Sequence, residues 1–406
     1  MLNQKTNERE LCYIVKIKEI RSIPDAEKVE LAIVHGWQVL VRKNIFKVGD
    51  LAIYFEIDSK VPEKEPFMFL ASKGFKIKTQ RYFKGTVLSQ GLIMSAEDFG
   101  WRLENDTIFV GNEEKSFVEG DFLTQELGVT YATAEDNDRK APSVDKYKKM
   151  AQRRPNLFKQ PWARWMMKRN WGRKIMFFFF GKKKDKKNGW PAWVKKTDEE
   201  RCQNLGWLFD GRDTGKWIAT EKIDGTSTTF TMRGRKRKRE FYICSRNVVF
   251  DKPDKKCFYE TNVYTEMAEK YDIEKKLSES LDQTPDLDFI TVQGETYGAG
   301  VQKRDYGLEG HDFMVFNVIF GYKNGEVVRL NPIIMKQWCD GKDLPSVPIV
   351  AENFVLPATC DELLEYAASE PSKVDGGMRE GVVFRDYNGV QSFKAVSNKF
   401  LLEFHQ

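Results

Sequence analysis

The chain has 406 residues, 41% of them apolar, enough for one or two ordinary cores in two or three domains. No apolar run reaches the length of a membrane span, the first ten residues are polar rather than signal-like, and six scattered cysteines without a C-x-x-C pair argue against a zinc ribbon or a disulfide framework, so the expectation is a cytoplasmic protein with reduced thiols. Three histidines leave little material for His-dependent triads or His-rich metal sites, and chemistry must rest on Lys, Arg and carboxylates.

Short β-branched runs open the chain, at Leu11–Ile17, Val29–Val34, Gln38–Val41 and Leu51–Phe55. Turn signals at Pro24-Asp25, His35-Gly36 and Val48-Gly49-Asp50 separate them at regular spacing, which predicts a small barrel, and Gly85–Met94 continues the pattern. The first domain is drawn at 1–135. A connecting segment, 136–190, is first polar, then basic and aromatic. Within 141–190, 16 Lys and Arg stand against two Asp, so the formal +6 of the chain is concentrated there and the remainder is net acidic. Lys146, Arg153, Arg154 and Lys182–Lys187 suit phosphate neutralisation, and Trp162, Trp165 and Trp171 suit base stacking. The same stretch also fits helices that bury Trp162, Trp165, Met166 and Phe177, or a basic amphipathic face on a membrane.

Residues 191–406 mix strands with a few helices, and helical spacing marks Tyr264–Leu277 and Asp361–Ala368. The most informative stretch is Thr220-Glu221-Lys222-Ile223-Asp224-Gly225-Thr226-Ser227, which sets a lysine two residues before an Asp-Gly turn and after the apolar run Trp217-Ile218-Ala219. An ammonium has no lone pair, so a nucleophilic lysine needs burial or nearby positive charge to lower its pKa; a strand leading into a pocket supplies the first, and a magnesium ion on Asp224 the second. Taken alone, the pattern equally fits a surface lysine beside a hairpin turn.

Five further stretches follow in order: Cys244-Ser245-Arg246-Asn247, Val292-Gln293-Gly294-Glu295-Thr296-Tyr297-Gly298, Phe313-Met314-Val315-Phe316-Asn317, Arg379-Glu380-Gly381-Val382-Val383-Phe384-Arg385 and Ser392-Phe393-Lys394-Ala395-Val396-Ser397. With the lysine stretch they resemble motifs I, Ia, III, IIIa, IV and V of the covalent nucleotidyltransferases, which comprise RNA ligases, DNA ligases and mRNA capping enzymes. Glu221–Ser227, the run Lys196-Thr197-Asp198-Glu199-Glu200-Arg201-Cys202-Gln203-Asn204, and Ser392-Phe393-Lys394 narrow the likeness to the Deinococcus-type ATP-dependent RNA ligases. The N-terminal region resembles the oligonucleotide-binding (OB) fold found in the same family.

The resemblance implies an α+β protein: an OB-like β-barrel that holds nucleic acid, then an adenylation domain over 191–406 with two antiparallel sheets and flanking helices around a nucleotide cleft. It implies ATP and Mg²⁺, with Mn²⁺ as an alternative, and RNA as the macromolecular partner of a monomeric enzyme. Lys222 would attack the α-phosphate of ATP to give lysyl-AMP; the AMP would pass to an RNA 5′-phosphate, and a 3′-OH would then close the strand in RNA repair. Asp224 and Glu380 would hold the metal, and Glu221, Arg246 and Glu295 would position the nucleotide. Lys394 would meet the α-phosphate and lower the Lys222 pKa, while Phe316, with Phe313 as the alternative, would stack on adenine. Two departures stand out: Ser392 replaces a motif V lysine, leaving Lys399 or Arg385 to share its load, and Asn317 replaces a common Asp. The competing readings are a DNA ligase, a capping guanylyltransferase, or an RNA-binding protein on an inactive ligase fold. An OB-like domain placed before the catalytic domain speaks against the first two, and the intact Lys222, Asp224, Glu295, Glu380 and Lys394 against the third.

Overall fold

Every residue of the strand Leu51–Phe55 is buried, because both of its faces are covered. Leu51, Ile53 and Phe55 enter one hydrophobic cluster and Ala52 and Tyr54 another, so the period-2 alternation of a strand separates two cores rather than core from solvent. It lies between Cys12–Lys16 and Leu92–Met94, antiparallel to both, in the central sheet of the N-terminal region. A meander of Glu19–Ser22, Val29–Val34 and Trp37–Arg42 covers one side. The expected strands are present with ends shifted by one residue, and Glu19–Ser22, too polar to read as a strand, joins them. The expected Gly85–Met94 strand is split into Val87–Ser89 and Leu92–Met94. Gly91 makes the break at φ +106°, where a Cβ would stand 2.5 Å from the Tyr54 ring and 2.7 Å from the Phe55 carbonyl.

The structure is a computed structural model that describes residues 1–3, 8–111, 115–132, 160–169, 172, 176, 190–196, 198–209, 211, 215–250 and 262–404. Met1–Tyr131 and Trp190–Gln406 form one compact unit, and Ala132–Gly189 a second. In the second unit the described helix is Pro161–Met167; Trp162 and Trp165 are half exposed on it, not buried, and Arg169 stacks 3.7 Å from the Trp165 ring centroid. Lys146, Arg153, Arg154, Trp171, Phe177 and Lys182–Lys187 lie outside the described residues.

Two sheets make up the C-terminal part of the first unit. One has five strands in the order Glu200–Arg201, Ser392–Val396, Gly381–Asp386, Trp217–Lys222, Ile349–Phe354. The other has six, in the order Val249–Phe250, Glu240–Cys244, Thr226–Arg233, Leu287–Gly298, His311–Tyr322, Val327–Arg329. Pairing is antiparallel throughout both except for the short edge strand Glu200–Arg201, which runs parallel to its neighbour. The run expected as one helix over Tyr264–Leu277 is two, Val263–Lys270 and Ile273–Gln283, broken at Asp272 with φ +52°. Helices Pro332–Asp340 and Asn398–Phe404 were not legible, whereas Cys360–Ser369 matches its expectation and carries a full capping box on Thr359 and Glu362. No described helix is long and apolar enough to cross a membrane.

The barrel is packed against the five-stranded sheet. Leu2 reaches into the hydrophobic cluster of that sheet and its N–H donates to the Asn204 carbonyl at 2.7 Å. Arg81 donates to the Leu401 and Leu402 carbonyls, and Gln90 to Asn398 at 3.2 Å. Gly91→Ala combines a left-handed backbone with a clash against Tyr54 and should destabilise the protein by about 2–4 kcal/mol. Thermal and denaturant unfolding check this; an unchanged midpoint would mean that the Val87–Met94 turn relaxes freely.

Candidate active site

Strand Trp217–Lys222 lies in the five-stranded sheet and Thr226–Arg233 in the six-stranded one, so Ile223, Asp224 and Gly225 carry the chain across. This is the lysine motif. Ile223 anchors the crossing in the core, and Gly225 passes so close to the Thr296 carbonyl that a Cβ would stand 2.3 Å from it. The Asp224 N–H donates to the Tyr306 hydroxyl at 2.7 Å. The cleft above the crossing has a volume of about 400 Å³, the size of a small-molecule site.

Register delivers the other residues. Lys222 pairs with Gly381, which places Glu380 beside it, and the Lys222 Nζ lies 2.8 Å from both Glu380 carboxylate oxygens. Thr220 pairs with Val383 and Val383 with Lys394, so Lys394 enters the same cleft one strand further out. From the facing sheet come Glu295, paired with Ser227, and Arg246, at the tip of the Cys244–Val249 hairpin. Phe316 comes from a bulge: Gln293 pairs with Asn317 and Gly294 with Val315, leaving Phe316 as the extra residue, which lines the cleft. Phe313 is fully buried against Phe230, so of the two candidates Phe316 faces the cleft, with Val383 lining it from the opposite sheet.

Two placements differ from expectation. The Glu221 carboxylate accepts from the Ser372 hydroxyl and from the Lys373 N–H at 2.8 Å, so it fixes the loop before Glu380 while the residue lines the cleft. Lys399 lies on the helix Asn398–Phe404 beside Arg21 and Gln38, away from this cleft, while Arg385 does line it. Arg385 is 2% exposed and donates to the bulge carbonyl of Phe316 at 2.6 Å and to Glu199 at 3.1 Å. Asn317 donates to Gln293 at 3.1 Å.

The electrostatics correct one expectation. Burial by itself pulls the Lys222 pKa down, but Glu380, Glu295 and Asp224 outweigh it and hold the pKa above that of an ordinary lysine. In the ligand-free site Lys222 is an ammonium. Lys394 is the lysine with the lowered pKa, through burial first, with repulsion from Lys222 and Arg201 adding and Asp198 opposing. The Glu295 carboxyl is pushed up to about 8, by burial first and by Glu380 and Asp224 next, against the pull of Lys222.

Sequence reasoning did not single out Asp198, Glu199, Val383, Gln302 or the Arg304–Tyr306 pair. Asp198 and Glu199 belong to the run Lys196–Asn204, and nothing in the sequence tells that this run passes along the cleft. Arg304 is 5% exposed, stacks 4.0 Å from the Tyr306 ring centroid, and ties Met378 and Asp375, in the loop before Glu380, to the segment that supports Asp224. Arg379 donates to the Tyr366 and Ala367 carbonyls at the end of the helix Cys360–Ser369. Glu380 is thus fixed from both sides.

A barrel followed by two facing sheets, with a lysine at the crossing between them, defines a polynucleotide ligase of the covalent nucleotidyltransferase class. Residues 215–396 match the RNA ligase family and residues 11–96 an OB-fold domain, so the chain carries an RNA ligase catalytic domain behind an N-terminal OB fold. Its fold is similar to that of the Naegleria gruberi RNA ligase. A variant of that enzyme with ATP and Mn shares 24% identity and a TM-score of 0.62, over 98% of this chain and 100% of that one. The same ligase with PPi shares 24% identity and a TM-score of 0.59 over 97% and 98%. A variant with AMP and Mn shares 25% identity and a TM-score of 0.60 over 97% and 98%. No curated protein sequence matches the chain.

The raised Glu295 pKa predicts a pH-dependent stability. Between the unfolded carboxyl value and about 8 the folded state holds a proton that the unfolded state has lost, so stability falls as pH rises through that window and levels off above it. Without metal or nucleotide, Glu295→Gln should therefore raise the melting temperature at pH 9 and change it much less at pH 5. Equal effects at both pH values would place Glu295 in an ordinary, solvated setting.

Proposed function

We propose that the protein is an ATP-dependent RNA ligase that joins 3′-OH and 5′-phosphate RNA ends through a lysyl-AMP and an RNA-adenylate, with Lys222 as the nucleophile. The observation that supports this most is the convergence of Lys222, Glu380, Lys394 and Arg246 on a nucleotide-sized cleft lined on opposite sides by Phe316 and Val383. Phe316 and Val383 are set to hold the base as a sandwich, an aromatic face on one side and a branched aliphatic on the other. Glu295, carrying a proton near neutral pH, can donate to a ribose hydroxyl as well as accept from one. Lys394 and Arg246 are placed to neutralise phosphate oxygens, the main requirement of in-line displacement at phosphorus.

Asp224 and Glu380 are the residues that would hold a divalent cation. Among the described residues no group of three or more His, Cys, Asp or Glu forms a metal cage, and a pair of carboxylates suits Mg²⁺, which keeps several waters and shares phosphate oxygens. A bound ion would supply Lewis acidity toward the α-phosphate, and Glu380 would then be shared between it and Lys222. Neutralising the carboxylates around Lys222 removes what holds its proton, and the lone pair becomes available for attack. The OB barrel and the basic segment 136–190 are assigned to RNA, the catalytic chemistry to 191–406, and the enzyme to the cytoplasm as a monomer working in RNA repair.

Incubation with α-labelled ATP and Mg²⁺, followed by denaturing electrophoresis, tests the reading. Covalent label should appear with ATP and not with GTP, and Lys222→Ala should abolish it. Glu380→Ala should reduce both labelling and sealing of a nicked RNA duplex by at least ten-fold, in the range of about 10²–10³ for loss of a transition-state contact. Persistent label in Lys222→Ala would remove that lysine from its role, and full activity of Glu380→Ala would make the Lys222–Glu380 pair purely structural.

A further inference from the structure

Residues 190–196 bond to the six-stranded sheet and its hairpin. Trp193 Nε1 donates to Thr231 Oγ1 at 3.1 Å, Gln293 donates to the Lys195 carbonyl at 3.0 Å, and Lys196 Nζ donates to Asn247 at 2.9 Å. Residues 199–201 bond to the five-stranded sheet: Glu199 meets Arg385 at 3.1 Å, and Glu200 and Arg201 pair with Phe393 and Lys394. Asp198 stands between them and touches both sides. One oxygen lies 2.6 Å from Arg246 Nη2 and the other 3.3 Å from Lys394 Nζ, so a single carboxylate bridges two cations presented by opposite sheets. All three groups line the cleft.

We infer that Asp198 is an internal stand-in for the nucleotide phosphates: it neutralises Arg246 and Lys394 in the ligand-free enzyme, is displaced when ATP enters, and returns as pyrophosphate leaves. This deepens the ligase reading and rests on it. Asp198 and Arg246 are both more than 60% exposed, and ion pairs so exposed are weak, which lets an anion of higher charge displace the carboxylate. The return matters because adenylylation is reversible. In the reverse step a pyrophosphate oxygen attacks the phosphorus of lysyl-AMP, an O–P bond forms, the Nζ–P bond breaks, and Nζ takes up a proton as ATP is released. A carboxylate that reoccupies the two cations competes with pyrophosphate and favours the forward direction. Asp198 is in this sense a positioning residue, acting through Arg246 and Lys394.

The test uses the full-length enzyme, labelled on lysine, and inorganic pyrophosphate with Mg²⁺. Asp198→Asn and Asp198→Ala should each lower the pyrophosphate concentration that half-reverses the label by about three- to ten-fold, the effect of removing one negative charge a few ångströms from the anion. The gain should shrink between ~0.05 M and ~0.5 M salt, as screening of an exposed charge demands and a packing change would not. Melting temperatures identify any variant that fails to fold, and the second substitution then carries the test. If the variants need as much pyrophosphate as the wild type, or more, Asp198 is an ordinary ion pair or a metal ligand and the inference is overturned. A wild type that takes no label would instead overturn the ligase reading itself.

Discussion

Only Ile223, Asp224 and Gly225 separate the end of a strand in one sheet from the start of a strand in the other, and this short crossing is the constraint on which the site depends. A longer link would let the sheets drift apart; a bulkier residue than Gly225 could not pass the Thr296 carbonyl. The crossing fixes the floor of the cleft and sets Lys222 on it. Antiparallel register then brings Glu380 and Lys394 alongside with no further device, because a strand ladder positions side chains in steps of a few ångströms. Where regular pairing would not serve, the six-stranded sheet is irregular: the bulge at Phe316 lets a ring and a backbone carbonyl serve different sides of the cleft, the carbonyl being taken by Arg385.

Around this frame, buried charges do the positioning. Glu221, Arg304 and Arg379 all spend their hydrogen bonds on the segment from Tyr366 to Met378, immediately before Glu380. Replacing Glu221 or Arg379 by a neutral residue would take a hydrogen-bond partner from the buried Ser372 or Ala367, a loss that generally costs more than the bond itself contributes. The accumulation of charge has an electrostatic consequence as well. Three carboxylates crowd one lysine, so the lysine keeps its proton and Glu295 gains one. The resting site is closer to neutral than its composition suggests, and it is poised for the arrival of cationic charge.

Much of this was legible in the sequence for identifiable reasons. Lys222, Asp224, Glu295, Phe316, Glu380 and Lys394 lie on strands or within two residues of a strand end, their order survives as motifs, and the structure brings them into one cleft. The barrel strands read correctly because Cys12–Lys16 and Leu51–Phe55 are buried on both faces and appear as continuous apolar runs. Glu19–Ser22 did not, since an exposed edge strand needs no apolar residues. The Lys222 pKa was misjudged because its sign depends on how many carboxylates surround it in space. Glu221 looked like a ligand residue from its neighbour, but strand alternation turns its carboxylate toward Ser372. Asp198 was visible as a letter only, its role depending on two cations 48 and 196 residues away.

The Lys222–Glu380 pair joins positions 158 residues apart, and the partner strand Gly381–Asp386 follows the lysine strand only after most of the six-stranded sheet has been made. On the ribosome, the nucleophile strand therefore emerges long before the strand that completes its sheet. A nascent chain that stops short of residue 380 has the lysine but neither the carboxylate beside it nor the second lysine of the cleft. The cleft cannot work on nucleotide until the chain has been made past Lys394, and a product truncated before that residue is silent rather than partly active.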